Sequence, residues 1–130
     1  MTTPRITAAL VISDFTCSPD EVTHAMGIAP TQTWRVGDPS GLPGVTRTTN
    51  GWRLRSGLED STDLGLHLEW LLRRLPLAMP EVAEREGWAF TFSCGVTIDD
   101  RAPAMAFSAA VLSGIAALHA ALDVDVIVAR

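Results

Sequence analysis

Lysine is absent from the 130 residues of this chain, so its ten strongly basic side chains are all arginines. The arginines are scattered, with local pairs only at Arg53/Arg55 and Arg73/Arg74, and the formal net charge is −5. A protein that binds nucleic acid through its phosphates usually presents a basic face. The composition therefore predicts that nucleic acid is not a partner.

Cysteine is scarce and the familiar catalytic motifs are lacking. Cys17 and Cys94 are too few for a disulfide framework, and Cys94 lies in an alternating apolar run typical of a core residue. His24, His67 and His119 fall on three different predicted helices, none with a second ligand at metal-binding spacing. Neither a Gly-x-Ser-x-Gly elbow nor a lysine-bearing phosphate loop is present. We predict no catalytic residue, no cofactor and no metal ligand.

Long hydrophobic runs are also lacking. No stretch approaches the roughly 20 apolar residues that a membrane-spanning helix needs, and the first residues show no secretion-signal pattern. Apolar residues make up 47% of the chain and charged residues 19%, which is typical of a folded protein. At this length, residues 1–130 are expected to form a single domain that needs no metal to fold. We expect a cytoplasmic protein without a membrane partner.

Two pairs of aspartates are each open to a structural interpretation. Asp99 and Asp100 lie in a predicted turn at 99–103, where aspartates commonly bond their own backbone. Asp123 and Asp125 share one face of the last predicted strand. Such a pair could hold a cation or shift each other's pKa, but an exposed strand face is the favoured interpretation.

Apolar periodicity predicts alternating strands and helices. Alternation at every second residue indicates strands, predicted at 6–13, 31–36, 51–56, 88–98, 104–107 and 124–127. Helical spacing and capping residues indicate helices, predicted from Ser18 to Gly27, at 62–75, at 80–86 and from Ser108. The order is β-α-β-β-α-β followed by β-α-β, and its first six elements are those of a ferredoxin-like fold. The prediction is an α+β, two-layer domain with a largely antiparallel sheet and helices on one face.

Several motifs resemble those of the bacterial DUF4279 family. They are Trp-x-x-Gly-Asp at 34–38 and Gly-Trp-x-Leu-x-Ser-Gly at 51–57, with Ser-Pro-Asp-Glu-Val at 18–22 and Asp-Val-Asp-Val-Ile-Val at 123–128. The resemblance covers nearly the whole chain. It implies a bacterial origin and supports the order of elements. The family is one of unknown function, so the resemblance implies no activity and no catalytic residues.

Two tryptophans flank a loop at 37–50 that is rich in glycine and proline. If the strands on either side pair, the indoles of Trp34 and Trp52 could lie on one face, with Arg35, Asp38 and Arg53 close by. Such a set of aromatic and arginine side chains is typical of a contact surface. The alternative is core packing, with a hydrogen bond from each indole N–H.

The helix at 62–75 presents a second unusual surface. With its leucines at 64, 68, 71, 72 and 75 directed inward, Leu66, Trp70 and Arg73 are directed outward. Leu66 and Trp70 are then neighbours at i, i+4. They predict either a self-association surface or cover by another element, such as the 80–86 segment.

The sequence therefore favours a non-enzymatic binding or regulatory protein that acts through protein–protein contacts. An immunity-like partner of a bacterial toxin or enzyme is the concrete version, and the acidic balance would suit a basic partner. Homodimerisation is a further expectation. The alternative is a small-molecule-binding protein or enzyme that uses a groove near Trp34, Asp38 and Trp52.

Overall fold

The computed structural model describes residues 4–99 and 102–129. Five strands and four helices are formed within these residues, in an α+β arrangement as predicted. The elements in chain order are β1 (Arg5–Ser13), α1 (Pro19–Met26), β2 (Gln32–Trp34), β3 (Gly51–Arg55), α2 (Leu64–Arg73), α3 (Met79–Glu86), β4 (Ala89–Ile98), α4 (Ala109–Ala117) and β5 (Ala121–Val128).

The strands form one open, mixed sheet in the order β2-β3-β1-β4-β5. The pairs β2–β3, β3–β1 and β1–β4 are antiparallel. The pair β4–β5 is parallel, because α4 carries the chain back along the sheet between these two strands. Two elements, β2 and β5, are therefore the edges of the sheet.

One face of the sheet carries the core. Side chains directly opposite each other point to the same face, and Leu10 of β1 lies opposite both Leu54 of β3 and Phe92 of β4. Alternate residues along these strands join a single buried cluster, to which all four helices contribute side chains. The helices therefore pack on this face, as the sequence predicted.

Local capping residues fix the ends of the helices where the sequence placed them. The Glu21 carboxylate accepts a hydrogen bond from Ser18 N at 3.0 Å at the start of α1. Gly27 ends that helix in the left-handed conformation, with φ of 69°. Ser108 Oγ accepts a hydrogen bond from Val111 N at 3.1 Å at the start of α4.

Three expectations about the elements need correction. The predicted strand at 104–107 does not form, because this segment crosses the start of α2, with the Ala106 carbonyl against Gly65, and β5 pairs with β4 instead. The predicted strand at 31–36 is confined to β2. In α2, His67 is buried and Leu72 is only half-buried, and Leu75 lies beyond the end of this helix and is also half-buried.

Two further expectations concern the turn at 99–103 and the membrane. In that turn, Asp100 and Arg101 lie outside the described residues. Over the described ranges, none of the helices is long and apolar enough to cross a membrane.

Candidate functional site

The two tryptophans that flank the long loop lie on opposite faces of the sheet. Thr33 is directly opposite Trp52, and Trp34 is directly opposite Gly51. Trp52 faces the helices, is fully buried and donates a hydrogen bond from Nε1 to Thr23 Oγ1 at 2.9 Å. The expectation that both indoles line one groove is therefore wrong, and the core interpretation applies to Trp52.

Trp34 lies on the face that the helices leave open. Its indole sits directly over Gly51, where a side chain would collide with the ring. The guanidinium carbon of Arg47 lies 4.4 Å from the ring centroid, a cation–π arrangement. Trp34 is therefore held between the backbone of β3 and an arginine that the sequence had not marked.

The segment between β2 and β3 is a hydrogen-bonded protrusion, which we call the arm (residues 35–50). Gly37 N donates to the carbonyl of Arg47 at 2.8 Å, and Arg47 N donates to that of Asp38 at 2.7 Å. An isolated β-bridge joins Pro39 to Thr46. The glycine- and proline-rich loop thus has a fixed, hairpin-like course.

The predicted binding residues in and beside the arm have separate roles. The Asp38 carboxylate accepts a hydrogen bond from Arg35 N at 2.8 Å and so shapes the entry to the arm. The Arg35 side chain is exposed. Arg53 lies opposite Gln32 on the open face of the sheet. Trp34, Arg35 and Asp38 therefore lie together at the base of the arm, whereas Trp52 does not.

The tip of the arm presents apolar side chains to solvent. Leu42 is 66% exposed, and Val45 is also among the exposed large hydrophobic residues. Together with Pro39 and Pro43, Leu42 and Val45 line a shallow depression at the tip. No signal in the local sequence pattern marked these residues, because scattered apolar residues in a loop are common.

The outer side of α2 carries the second predicted surface. Leu66 and Arg73 are exposed, and Arg73 pairs with Glu69 one turn earlier. Trp70 is half-buried, because the guanidinium carbon of Arg74 lies 3.5 Å from the ring centroid and Gly57 lies against the other part of the ring. Leu66 and Arg73 are directed outward as the sequence predicted, whereas Trp70 packs partly against the core cluster. The role of this surface in self-association stays a prediction.

A buried histidine beside a serine is the feature that the sequence did not reveal. The Ser56 hydroxyl and Nδ1 of His67 form a hydrogen bond, and His67 is only 1% exposed. Burial lowers the pKa of His67 below its usual value of 6.5, so its ring is neutral near pH 7. The hydrogen bond joins α2 to the residue just after β3, with the His67 ring enclosed and Ser56 half-buried.

The two thiols are poor nucleophiles. Burial, with a smaller contribution from the Asp123 carboxylate, raises the pKa of Cys94 to about 11. Burial also raises the pKa of the half-buried Cys17, with the Glu21 carboxylate adding to the effect. The thiolate is the reactive form, so both thiols are largely unreactive near pH 7. Within residues 4–99 and 102–129, no three potential metal-binding side chains come together.

Comparison with protein families gives a match over nearly the whole chain. The profile of DUF4279, described as a domain of unknown function, matches residues 4–129. This chain is a member of the DUF4279 family. Comparison with curated proteins and with solved structures gives no match.

The motifs that resemble DUF4279 build the base of the arm and its support. In the first motif, Gly37 has φ of 92°, a left-handed conformation that favours glycine, and Asp38 holds Arg35 N. In the second motif, Gly51 makes room for Trp34. In this DUF4279 protein, the motif residues therefore position aromatic side chains.

The end of the second motif supports α2 in the same way. Ser56 bonds to His67, and Gly57 lies so close to Trp70 that an added Cβ would stand 2.8 Å from Trp70 Cζ2. One short segment of the DUF4279 chain thus connects the arm, through β3, to the aromatic residue of α2.

Proposed function

We propose that this protein is a non-enzymatic binding protein that contacts a protein partner through the arm. The single observation that carries the proposal is the exposed apolar tip on a hydrogen-bonded arm. Leu42 at the tip is 66% exposed, although it lies in a segment held at both sides by backbone hydrogen bonds. Apolar side chains on a fixed projection suit burial in a partner.

The arm is organised before any partner arrives. The bonds between Gly37 and Arg47 and between Arg47 and Asp38 hold its stem. The Asn50 side chain accepts from Val36 N at 2.9 Å and ties the stem to the body of the protein. A segment that is already ordered loses less conformational entropy on binding, which favours affinity.

Binding is favoured over catalysis by the state of the potential reactive groups. His67 is buried and the pKa values of Cys17 and Cys94 are raised, so these groups are poorly suited to attack a substrate near pH 7. The net charge of −5 would speed association with a basic partner. The concrete form of the proposal is an immunity-like or regulatory protein for a basic bacterial toxin or enzyme.

The alternative, a small-molecule or enzyme site near Trp34, Asp38 and Trp52, has weaker support. Trp52 is buried on the other face of the sheet and Asp38 accepts a backbone hydrogen bond within the arm. A thermal-shift screen against metabolites tests this alternative, because a specific ligand raises the apparent stability.

We further propose that β1 to β4 with α1 and α2 form a ferredoxin-like unit, to which α4 and β5 are added. The order β2-β3-β1-β4 and the antiparallel pairing of each neighbouring pair support this description. We also propose that the protein acts in the bacterial cytoplasm, and the two unpaired thiols, Cys17 and Cys94, are compatible with a reducing compartment.

To test the proposed function, the affinity for a partner is compared between variants with a charge at the tip of the arm and a variant with a charge elsewhere on the surface. Leu42→Asp and Val45→Asp place a carboxylate in the depression at the tip. Leu77→Asp is the control, because Leu77 is also an exposed large apolar residue but lies between α2 and α3. Proteins captured from the source cell by the wild-type chain are identified, purified and measured against each variant by calorimetry.

We expect the tip variants to weaken binding of the purified partner about fivefold or more, and Leu77→Asp to leave it unchanged. Equal affinity of all three variants would show that the arm is not the contact. If the wild-type chain retained no protein from the source cell under any condition, the proposed binding function would be wrong.

A further inference from the structure

Three valines of β5 lie on the core face of the sheet and yet are exposed. Val124 is opposite Cys94, and Val126 is opposite Val96, on the face that the helices cover elsewhere. Cys94 and Val96 are buried, whereas Val124, Val126 and Val128 are 38%, 47% and 50% exposed. The core face therefore continues onto β5 without a covering layer.

The helix nearest in sequence does not supply that layer. α4 connects β4 to β5, but it leans on α2, where the Leu72 side chain lies against Gly114. A Cβ on Gly114 would stand only 3.1 Å from Leu72 Cδ1. Because α4 packs toward α2, the valines of β5 stay outside the buried cluster.

The outer edge of β5 also presents backbone groups. Ala129 N donates to the carbonyl of Ile98 at 2.7 Å, so the backbone groups of Ala129 point toward β4. These groups alternate along a strand, so those of Val124, Val126 and Val128 point away from β4. Over the described ranges, no strand pairs with this edge. β5 has no proline, lysine or arginine, and its two charged side chains, Asp123 and Asp125, lie on the open face, so the face that carries the valines has no charge to protect it.

We propose that β5 pairs antiparallel with β5 of a second copy of this chain, with the two-fold axis at Val126. The two open sheets then continue as one sheet across the dimer. A two-fold interface uses the same patch on both copies, so the patch must complement itself. The valines do so, because Val124 comes opposite Val128 and Val126 comes opposite its own counterpart.

The aspartates of β5 select this register. A two-fold axis at Val124 would place Asp123 opposite Asp125, and an axis at Asp125 would place that residue opposite itself. Like charges directly opposite each other destabilise a strand pair. An axis at Val126 places each Asp125 opposite Ile127 of the other copy and keeps the carboxylates apart. An axis at Ile127 also separates them but pairs fewer residues, because β5 ends at residue 128.

The first test traps the dimer with a single new cysteine. Opposed residues in a hydrogen-bonded strand pair have Cα atoms about 5.5 Å apart, which is within the span of a disulfide. We expect Val126→Cys to form a covalent dimer on mild oxidation. Val124→Cys, which does not meet itself in this register, should cross-link no faster than Leu77→Cys, whose exposed thiol reports random collisions.

The second test changes the charge opposite Asp125. Ile127→Lys places an ammonium there in both copies, and Ile127→Asp places a carboxylate. By sedimentation, we expect Ile127→Lys to tighten the dimer about 2- to 30-fold and Ile127→Asp to weaken it by a similar factor. Ile127 is half-exposed, so both variants should keep the circular dichroism of the wild-type chain.

Three results would overturn the proposal. The first is a wild-type chain that sediments as a monomer up to millimolar concentration. The second is faster cross-linking at Val124→Cys than at Val126→Cys, and the third is the same association constant for both Ile127 variants. The proposal for the arm does not depend on these results, because the arm and β5 lie at opposite ends of the strand order.

Discussion

The indole of Trp34 lies directly on the backbone of Gly51, its partner across the β2–β3 pair. The guanidinium of Arg47, in the arm's stem, also contacts the ring. The absence of a side chain on Gly51 therefore decides where Trp34 lies. Because Arg47 of the arm packs on Trp34, Gly51 also contributes to the position of the arm.

Gly51→Ala is expected to displace Trp34 and loosen the arm, because the new methyl group occupies the space of the indole. Overpacking of this kind costs about 1–3 kcal/mol of the free energy of unfolding. Urea denaturation followed by tryptophan fluorescence measures the loss. Gly95→Ala is the control, since its Cβ would meet only the Thr7 hydroxyl at 3.2 Å. A loss no larger than that of the control would contradict the close approach.

Asn50→Ala is expected to free the arm while leaving the core intact. The Asn50 side chain accepts from Val36 N at 2.9 Å and donates to the carbonyl of Cys17 at 3.2 Å. Two such bonds stabilise the arm locally by about 1–3 kcal/mol. Hydrogen exchange at Val36 N and Arg47 N should become at least about fivefold faster, and exchange in β4 should not change. The exposed neighbour Thr49, changed to alanine, serves as the control.

The parts of the fold that depend on local sequence could be predicted. Ser18, Gly27 and Ser108 mark helix ends because capping involves residues within one turn of each other. The strand β4 could be predicted because its side chains alternate between a buried and a partly exposed face. Family membership also followed from the motifs, since they occur at fixed positions along the chain.

Two parts of the fold could not be predicted: the register of the strand pairs, and how far the layer of helices extends over the sheet. A shift of one residue in strand pairing moves a side chain to the other face, and the observed β2–β3 register separates Trp34 from Trp52. The alternation in β5 indicates a strand, but no local pattern tells how far the helices extend over it. The contacts of Arg47 with Trp34 and of His67 with Ser56 join residues that are distant in sequence, so only the structure reveals them.

Removing the hydrogen bond between Trp52 and Thr23 is expected to destabilise the protein, because the buried indole N–H would lose its acceptor. Thr23 Oγ1 accepts from Trp52 Nε1 at 2.9 Å, and Trp52 is fully buried. Thr23→Val should therefore cost about 1–3 kcal/mol of the free energy of unfolding. In the Trp52→Phe background, the same change should cost less, because the indole N–H is gone. Equal costs in both backgrounds would show that the bond is not the cause.

His67 is expected to make the protein less stable as the pH falls below about 6.5. Burial lowers the pKa of His67 in the folded protein, whereas the unfolded chain titrates near the usual value of 6.5. Below that pH the unfolded state binds a proton that the folded state does not yet bind. The free energy of unfolding therefore falls, by at most about 1.4 kcal/mol for each pH unit, until the folded pKa is reached.

The measurement is urea denaturation between about pH 7.5 and pH 5.5 for the wild-type chain, His67→Gln and His24→Gln. The glutamine cannot take up a proton, and its amide can still bond the Ser56 hydroxyl that now contacts His67. We expect the loss of stability at low pH to be smaller in His67→Gln than in wild type. His24 is exposed on α1, so His24→Gln should leave the change of the unfolding free energy with pH as it is in wild type. If the slope were equal in all three proteins, His67 would not be the group whose proton uptake differs between the folded and unfolded states.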